Sequence, residues 1–510
     1  MIDPRRQVLE VSMNVPLPNL VYLDRVIGVS DPEIEQFDAV YLDTADLRLA
    51  RYAVTLYRVH GGDDQGWWLE TADDGRSTRI GQPLGRSTRV PAALARRLRT
   101  LVRHDGVRRV VTLHTARTQR RLLDETGTVL ATVADDVVRA EPAPARTPAP
   151  ARTPASTRTP ASVWRQVTTT VLVEDPDLGD AVRCRLAAAG MQPTDAPPVM
   201  RRVFGSRLPG PVAVGPRTSS GDVLLGYLRG QLTELIREDA RARRDEPDAV
   251  HRMRVATRRL RAGLATYRPL LDRSRTEPVR AELAWLASVL GAPRDAEVVR
   301  DRLRDEVSEL APELVRGPVL ARIEQETVVR HAAAHAELVR ALDGERLLSL
   351  LDALEQLTTE PPLLDAARRP ARAGLVQLVR DSSRRVDRRA ARADRINDPQ
   401  LRDAALHQVR LAAKRARYAA ESVAPAMGRP ATRLAEAMAG LQEVLGEYQD
   451  SLTTRPLVAG LAAAAHEAGE DTFTFGVLYG LERWRGERAL ARYPRARKAA
   501  QRGAVRRWLG

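Results

Sequence analysis

The chain has 510 residues, room for two to four domains at roughly 150 residues each. Its 81 Lys+Arg against 66 Asp+Glu leave a formal charge of +15, and only Lys414 and Lys498 among the cations are lysines. Codon bias explains arginine in place of lysine but not the surplus, which favours a polyanionic partner such as nucleic acid, polyphosphate or anionic lipid. The single cysteine, Cys184, excludes a disulfide scaffold and a cysteine-ligated zinc cluster. No apolar run reaches the roughly 18 residues of a membrane-spanning helix, and the opening Met1–Arg6 lacks the apolar stretch of a secretory signal, so the expected location is the cytoplasm.

Residues 1–208 read as an antiparallel β domain. β-Branched runs at 39–42, 54–59, 110–113 and 129–134 are separated by turn signals, Gly61-Gly62-Asp63-Asp64 and Glu125-Thr126-Gly127 among them. Residues 91–103 read as a helix. The segment 141–160 is a Pro-Ala-Arg-Thr low-complexity stretch that cannot build a core. It reads as a long loop inside this domain, because strand-like sequence resumes at Val163 and runs to Val173. The domain boundary is expected at 209–220, around Pro209-Gly210-Pro211.

From Gly221 to Gly510 the pattern is helical, with apolar residues recurring at three and four. This half contains an internal repeat. The stretch His251-Arg252-Met253-Arg254-Val255-Ala256-Thr257-Arg258-Arg259-Leu260-Arg261 aligns with His407-Gln408-Val409-Arg410-Leu411-Ala412-Ala413-Lys414-Arg415-Ala416-Arg417. Downstream, Leu290-Gly291-Ala292-Pro293-Arg294-Asp295 aligns with Leu445-Gly446-Glu447-Tyr448-Gln449-Asp450. Two ordered motifs at nearly equal spacing define a tandem duplication, with repeats at about 221–365 and 366–510. At about 100° per residue, His251, Arg254, Arg258 and Arg261 share an arc of about 80°. Met253, Ala256, Leu260, Leu264 and Tyr267 fall on a separate apolar stripe. His407, Arg410, Lys414 and Arg417 repeat the basic arc. Stacked like charges without interleaved acids are costly unless an anion neutralises them, and the arginine fork suits phosphate oxygens. Arg259 and Arg415 lie on another side of the helix. Arg380, Arg384 and Arg388, with Arg385, Arg389 and Arg392 one edge over, are auxiliary basic surface.

At these motifs the chain resembles the CHAD family, the conserved-histidine α-helical domain, over about 220–508. The resemblance implies two four-helix-bundle repeats around a basic channel that binds inorganic polyphosphate. It also implies channel-lining roles for His251, Arg254, Arg258, Arg261, His407, Arg410, Lys414 and Arg417, and lesser ones for Arg259 and Arg415; Arg294-Asp295 matches a supporting motif.

The N-terminal half resembles the CYTH family, the triphosphate tunnel metalloenzymes, at residues 41–49, 54–58, Trp67-Trp68-Leu69 and Ala134-Asp135-Asp136-Val137. That resemblance implies an eight-stranded antiparallel barrel binding triphosphate and divalent metal. The family's opening E-x-E-x-K is here Glu10-Val11-Ser12-Met13-Asn14, its tunnel lysine falls at Glu70, and its late acidic strand reads Arg165-Gln166-Val167-Thr168-Thr169-Thr170. Arg58, Arg117 and Asp136 remain, Asp136 being the surviving candidate for a metal contact. A divalent cation needs charged oxygen ligands, so the barrel is expected to be catalytically degenerate.

The sequence therefore predicts an α+β chain of two domains: a degenerate barrel, then an all-α polyphosphate-binding tandem repeat. It requires no cofactor, and divalent metal in the barrel is disfavoured. Association with polyphosphate granules is the corresponding expectation. The alternatives are an inorganic triphosphatase or organic phosphate hydrolase in the barrel, and nonspecific nucleic-acid binding. The second is weakened by an aromatic content of 4%, which leaves few stacking platforms.

Overall fold

The computed structural model describes residues 6–21, 23, 25–73, 76–144, 162–193, 199–205, 208 and 218–510. The chain divides into two compact units, Met1–Val212 and Ala213–Gly510. Most of the low-complexity segment, and 209–217 of the expected boundary, lie outside the described residues.

The first unit is one antiparallel sheet. Its strands are β1 (Arg6–Val11), β2 (Gly28–Val29), β3 (Glu33–Asp43), β4 (Val54–His60), β5 (Gly66–Asp73), β6 (Arg76–Gln82), β7 (Arg108–Leu123), β8 (Val129–Pro142), β9 (Ser162–Val171) and β10 (Gln192–Pro193). Helices α1 (Arg48–Arg51), α2 (Ala92–Val102), α3 (Pro176–Ala188) and α4 (Val199–Phe204) join and cover it. The strand order is β10-β1-β9-β8-β7-β3-β4-β5-β6, with β2 on β7. The expected barrel is thus an open sheet among the described residues, because pairing ends at β10 and at β6. The end strand β10 is a two-residue stub closing on Pro193, which has no N–H to extend a ladder.

Both expected hairpins are present. Gly61 and Gly62 take φ of 85° and 70° between β4 and β5, and Gly127 takes 82° between β7 and β8. Positive φ is open to glycine at little cost. The second loop is fastened by Asp124, whose carboxylate accepts from the backbone N–H of Thr126 and Thr128. β8 pairs directly with β9 from Ala131↔Val171 to Ala140↔Ser162, so the segment separating them joins neighbouring strands of one sheet. Two apolar clusters fill the unit. One gathers Leu9, Leu122, Leu130 and Val167 with Leu178 and Leu186 of α3. The other gathers Val59, Val111, Leu113 and Val138 with Met200 and Val203 of α4.

The second unit is helical: α5 (Ser220–Ala242), α6 (Ala249–Thr266), α7 (Arg273–Val289), α8 (Gly291–Glu309), α9 (Val319–Asp343), α10 (Glu345–Thr359), α11 (Ala371–Ala393), α12 (Pro399–Met427), α13 (Arg429–Glu467), α14 (Phe473–Gln501) and α15 (Gly503–Arg506). Similar helix pairs recur in the two halves of this unit. α5 packs on α6 and α8 on α9 in the first repeat; α11 packs on α12 and α13 on α14 in the second. The first repeat divides its third helix into α7 and α8 at Leu290–Gly291, where the second runs the unbroken α13. It also adds α10, which packs on α5 and α7. The start of α5 is fixed by a capping box: Ser219 Oγ accepts from Asp222 N, and Asp222 accepts from Ser219 N.

The apolar stripe of α6 behaves as its spacing predicts: Met253, Ala256, Leu260, Leu264 and Tyr267 are each at most 1% exposed. Burial of that stripe orients the helix and turns its basic arc toward α12. The two motif helices pack together. Their contacts climb in the same direction along both: Arg258 to Tyr418, Arg259 to Glu421 and Tyr267 to Ser422.

Candidate anion-binding site at the junction of the repeats

The basic arcs of α6 and α12 meet. Arg254 and Arg258 from the first repeat and Arg410 and Lys414 from the second act on one another electrostatically. Lys414 is only partly exposed, and its ammonium is drawn down to about 7 by loss of water, then by Arg258, Arg410 and Arg254, against Asp450. Arg258 is likewise held below its ordinary value, first by burial and then by Arg254 and Arg410, with Tyr418 opposing. The Tyr418 hydroxyl lies 3.5 Å from Arg258 Nη2.

The second repeated motif anchors the first. Arg254 Nη1 donates to Asp295 Oδ1 at 2.7 Å, and Arg410 Nη2 lies 3.9 Å from Asp450 Oδ1. A methyl group at Gly446 would stand 3.5 Å from the Arg410 guanidinium, and one at Gly291 would stand 3.9 Å from Arg254 Nη2. The repeated glycine and aspartate thus give each arginine a bare stretch of helix to lie on and a carboxylate to aim it. Asp450 pays for this with a carboxyl above its ordinary range, chiefly from burial, with Arg410 opposing.

The other sequence-predicted residues fall around this cluster. His251 is exposed and held below its ordinary value by desolvation, then by Arg294, Arg258 and Arg254, with Asp248 opposing. His407 Nδ1 lies 3.2 Å from Gln449 Oε1. Arg259 and Arg417 come together on one flank and share Glu421, at 2.9 and 2.7 Å. Arg261 and Arg415, their counterparts under the duplication, occupy the other flank. There Ala265 stands where the second repeat has Glu421. Arg415 is held below its ordinary value by burial, then by Arg385, Arg280, Arg261 and Arg268. Glu277 pairs with Arg268 and Arg280 on that side. One flank shares the single carboxylate Glu421 between two arginines; the other lacks that acid and extends the cationic surface toward α11. Arg384 and Arg388 are exposed on α11. Arg380 instead bonds Gln377 and the carbonyl of Leu509. Sequence reasoning passed over Tyr418, one helical turn beyond Lys414, and gave Arg385 only an auxiliary place.

The first unit holds a cavity of about 230 Å³ lined by Tyr41, Tyr57, Glu70, Arg79, Arg117 and Asp136, among others. The carboxylates that the CYTH resemblance points to are engaged. Arg117 grips Asp136 through Nε and Nη2 at 2.7 and 3.0 Å. Arg202 grips Glu10 at 2.9 and 3.1 Å. Glu70 accepts from the Tyr57 hydroxyl at 2.5 Å and lies 3.4 Å from Arg79. Arg58 lies over the Trp67 ring at 5.5 Å. Guanidinium groups and a phenol occupy the acidic oxygens that a divalent cation would need, so these residues do not fit a metal centre.

Fold and site together define a duplicated helical protein with a cation cluster at the junction of its repeats. The CHAD domain model matches residues 226–459. An uncharacterized protein of Mycobacterium tuberculosis, found in two strains, is 34% identical over 485 residues, covering 94% of this chain and 92% of the relative. The chain belongs to the CHAD-domain family. Among solved structures, PptA from Streptomyces chartreusis is 26% identical, with a TM-score of 0.45, over 55% of this chain and 99% of PptA. The CHAD domain from the plant Ricinus communis is 22% identical, with a TM-score of 0.40, over 57% of this chain and 92% of that one. Among the described residues, no helix is long and apolar enough to cross a membrane.

Proposed function

We propose that this protein binds inorganic polyphosphate at the junction of α6 and α12, and that its N-terminal sheet is not catalytic. The carrying observation is the convergence of Arg254, Arg258, Arg410 and Lys414 from both repeats, with Asp295 and Asp450 as the acids on the two arginines. Three arginines and Lys414, which is only partly protonated near pH 7, stand around two carboxylates and leave positive charge unmatched in a partly desolvated place. A flexible polyanion relieves that cost along its whole length, which a single phosphate cannot do. The flank at Arg261, Arg415 and Arg385 offers the chain a continuing path; the Glu421 flank does not. Binding of this kind would carry the protein to polyphosphate granules.

Nucleic acid supplies phosphates too, but base stacking has little to rest on here. Hydrolysis in the sheet domain is opposed by the arginine-occupied carboxylates. The test is fluorescence anisotropy with end-labelled polyphosphate and DNA competitor at equal phosphate concentration. Saturable binding that weakens with salt and resists DNA is expected. DNA displacing polyphosphate phosphate for phosphate would refute the reading.

A further inference from the structure

We propose that His331, Asp245 and Glu297 bind one divalent transition-metal ion of the zinc class. The three come from separate elements: Asp245 from the turn between α5 and α6, Glu297 from α8 and His331 from α9. Their ligand atoms all lie within 4.8 Å of one another. His331 Nε2 is 2.8 Å from Asp245 Oδ2 and is the nitrogen that would bind the ion; the other ring nitrogen, Nδ1, faces the Pro293 carbonyl at 3.4 Å, with Glu297 Oε1 3.9 Å away. Asp245 is exposed, which gives an ion a way in and leaves positions for water.

The surroundings hold these groups in place. Arg294 donates to Glu297 Oε2 at 2.8 Å and leaves Oε1 on the side of the imidazole. His335, one turn along α9, stacks on His331 with ring centres 6.0 Å apart. Its Nε2 donates to the Ala242 carbonyl at 2.8 Å and lies 3.8 Å from Asp245 Oδ1, supporting the turn from beneath. Partners of this kind orient ligands in metal sites.

The second repeat carries neither acid, although Asp245 also suits its turn, where it takes φ of 54°. At the corresponding positions of the second repeat stand Leu401 and Leu452, in helices that form without them. Two carboxylates beside the two nitrogens of one ring are therefore particular to the first repeat. An imidazole among oxygen ligands selects zinc-like ions over magnesium or calcium. The site is distinct from the α6–α12 cation cluster and does not rest on polyphosphate binding.

The test uses metal-free full-length protein without a histidine tag, titrated with Zn²⁺ by calorimetry and with Co²⁺ by visible absorption. About one equivalent is expected, with Zn²⁺ raising the melting temperature. His331→Ala and the near-isosteric Glu297→Gln should each weaken binding about tenfold or more while circular dichroism stays unchanged. Absence of saturable uptake by the wild type, or uptake undiminished in both variants, would overturn the assignment.

Discussion

Lys414 offers the sharpest consequence of the cation cluster. In the free protein its ammonium is drawn from 10.5 down to about 7. The folded chain therefore lacks, between those values, a proton that the unfolded chain still holds. Stability contributed by this residue rises with pH across that window and is lowest below about 7. The fall of roughly 3.5 is equivalent to at most about 5 kcal/mol, reduced by the solvent contact Lys414 retains. A phosphate oxygen against the amine restores the ordinary value, so ligand binding takes up a proton. With a free value of about 7, Lys414 is about one-quarter protonated at pH 7.5 and about nine-tenths at pH 6. Its own uptake on binding is then roughly 0.8 proton at pH 7.5 and about 0.1 at pH 6, where His251, also held below its ordinary value by desolvation and neighbouring arginines, adds to the total. Calorimetry of polyphosphate binding in buffers of different ionisation enthalpy measures this directly. Lys414→Arg keeps the charge but cannot titrate, so it should bind while losing the uptake at pH 7.5. Uptake unchanged in Lys414→Arg, or absent from the wild type, would refute the reasoning.

Three other outcomes are expected. Tyr267→Phe removes the 2.8 Å bond to Ser422 between the two motif helices. Ser422 keeps its bond to the Ala419 carbonyl, so the loss should be about 1 kcal/mol in a denaturant titration; no loss at all would discount that contact. Glu306, fully buried beside Glu482, Arg302 and Arg485, is held above the ordinary carboxylate range by burial and then by Glu482, which keeps the charge of the pair, with both arginines opposing. Its proton stabilises the fold at low pH, and that contribution is lost as pH rises above the ordinary carboxylate value of about 4.5. Urea midpoints between about pH 5 and 9 should therefore fall less in Glu306→Gln than in the wild type, and parallel curves would contradict the assignment. With tripolyphosphate and Mg²⁺ or Mn²⁺, no phosphate release above buffer is expected. Release that disappears on Asp136→Ala would contradict the inactive reading of the sheet domain.

The sequence carried the parts of this molecule that are periodic. Burial of Met253, Leu260 and Tyr267 follows from helical spacing, and the pairing of Arg254 with Asp295 and Arg410 with Asp450 gives a physical reason why two distant motifs were duplicated together. Helix arithmetic also placed Arg261 and Arg417 on the same arc as the central cations. It could not show that α6 and α12 cross so that Arg417 meets Arg259 over Glu421 while Arg261 meets Arg415. Those pairings are set by tertiary packing. In the first unit, strands and turns were legible, but closure of the sheet depends on edge partners that no local pattern encodes. The His331–His335 spacing was visible in the sequence, yet only the fold brings Asp245 and Glu297 to it.

The central claim is that a few placed cations, and not the total charge of +15, bind polyphosphate. The most direct measurement compares the affinity of Arg254→Gln/Arg410→Gln with that of Arg384→Gln/Arg388→Gln at one salt concentration. Both double variants remove the same charge. About tenfold or greater loss is expected for the first pair and less than about twofold for the second. Equal losses would contradict it and assign binding to diffuse surface charge.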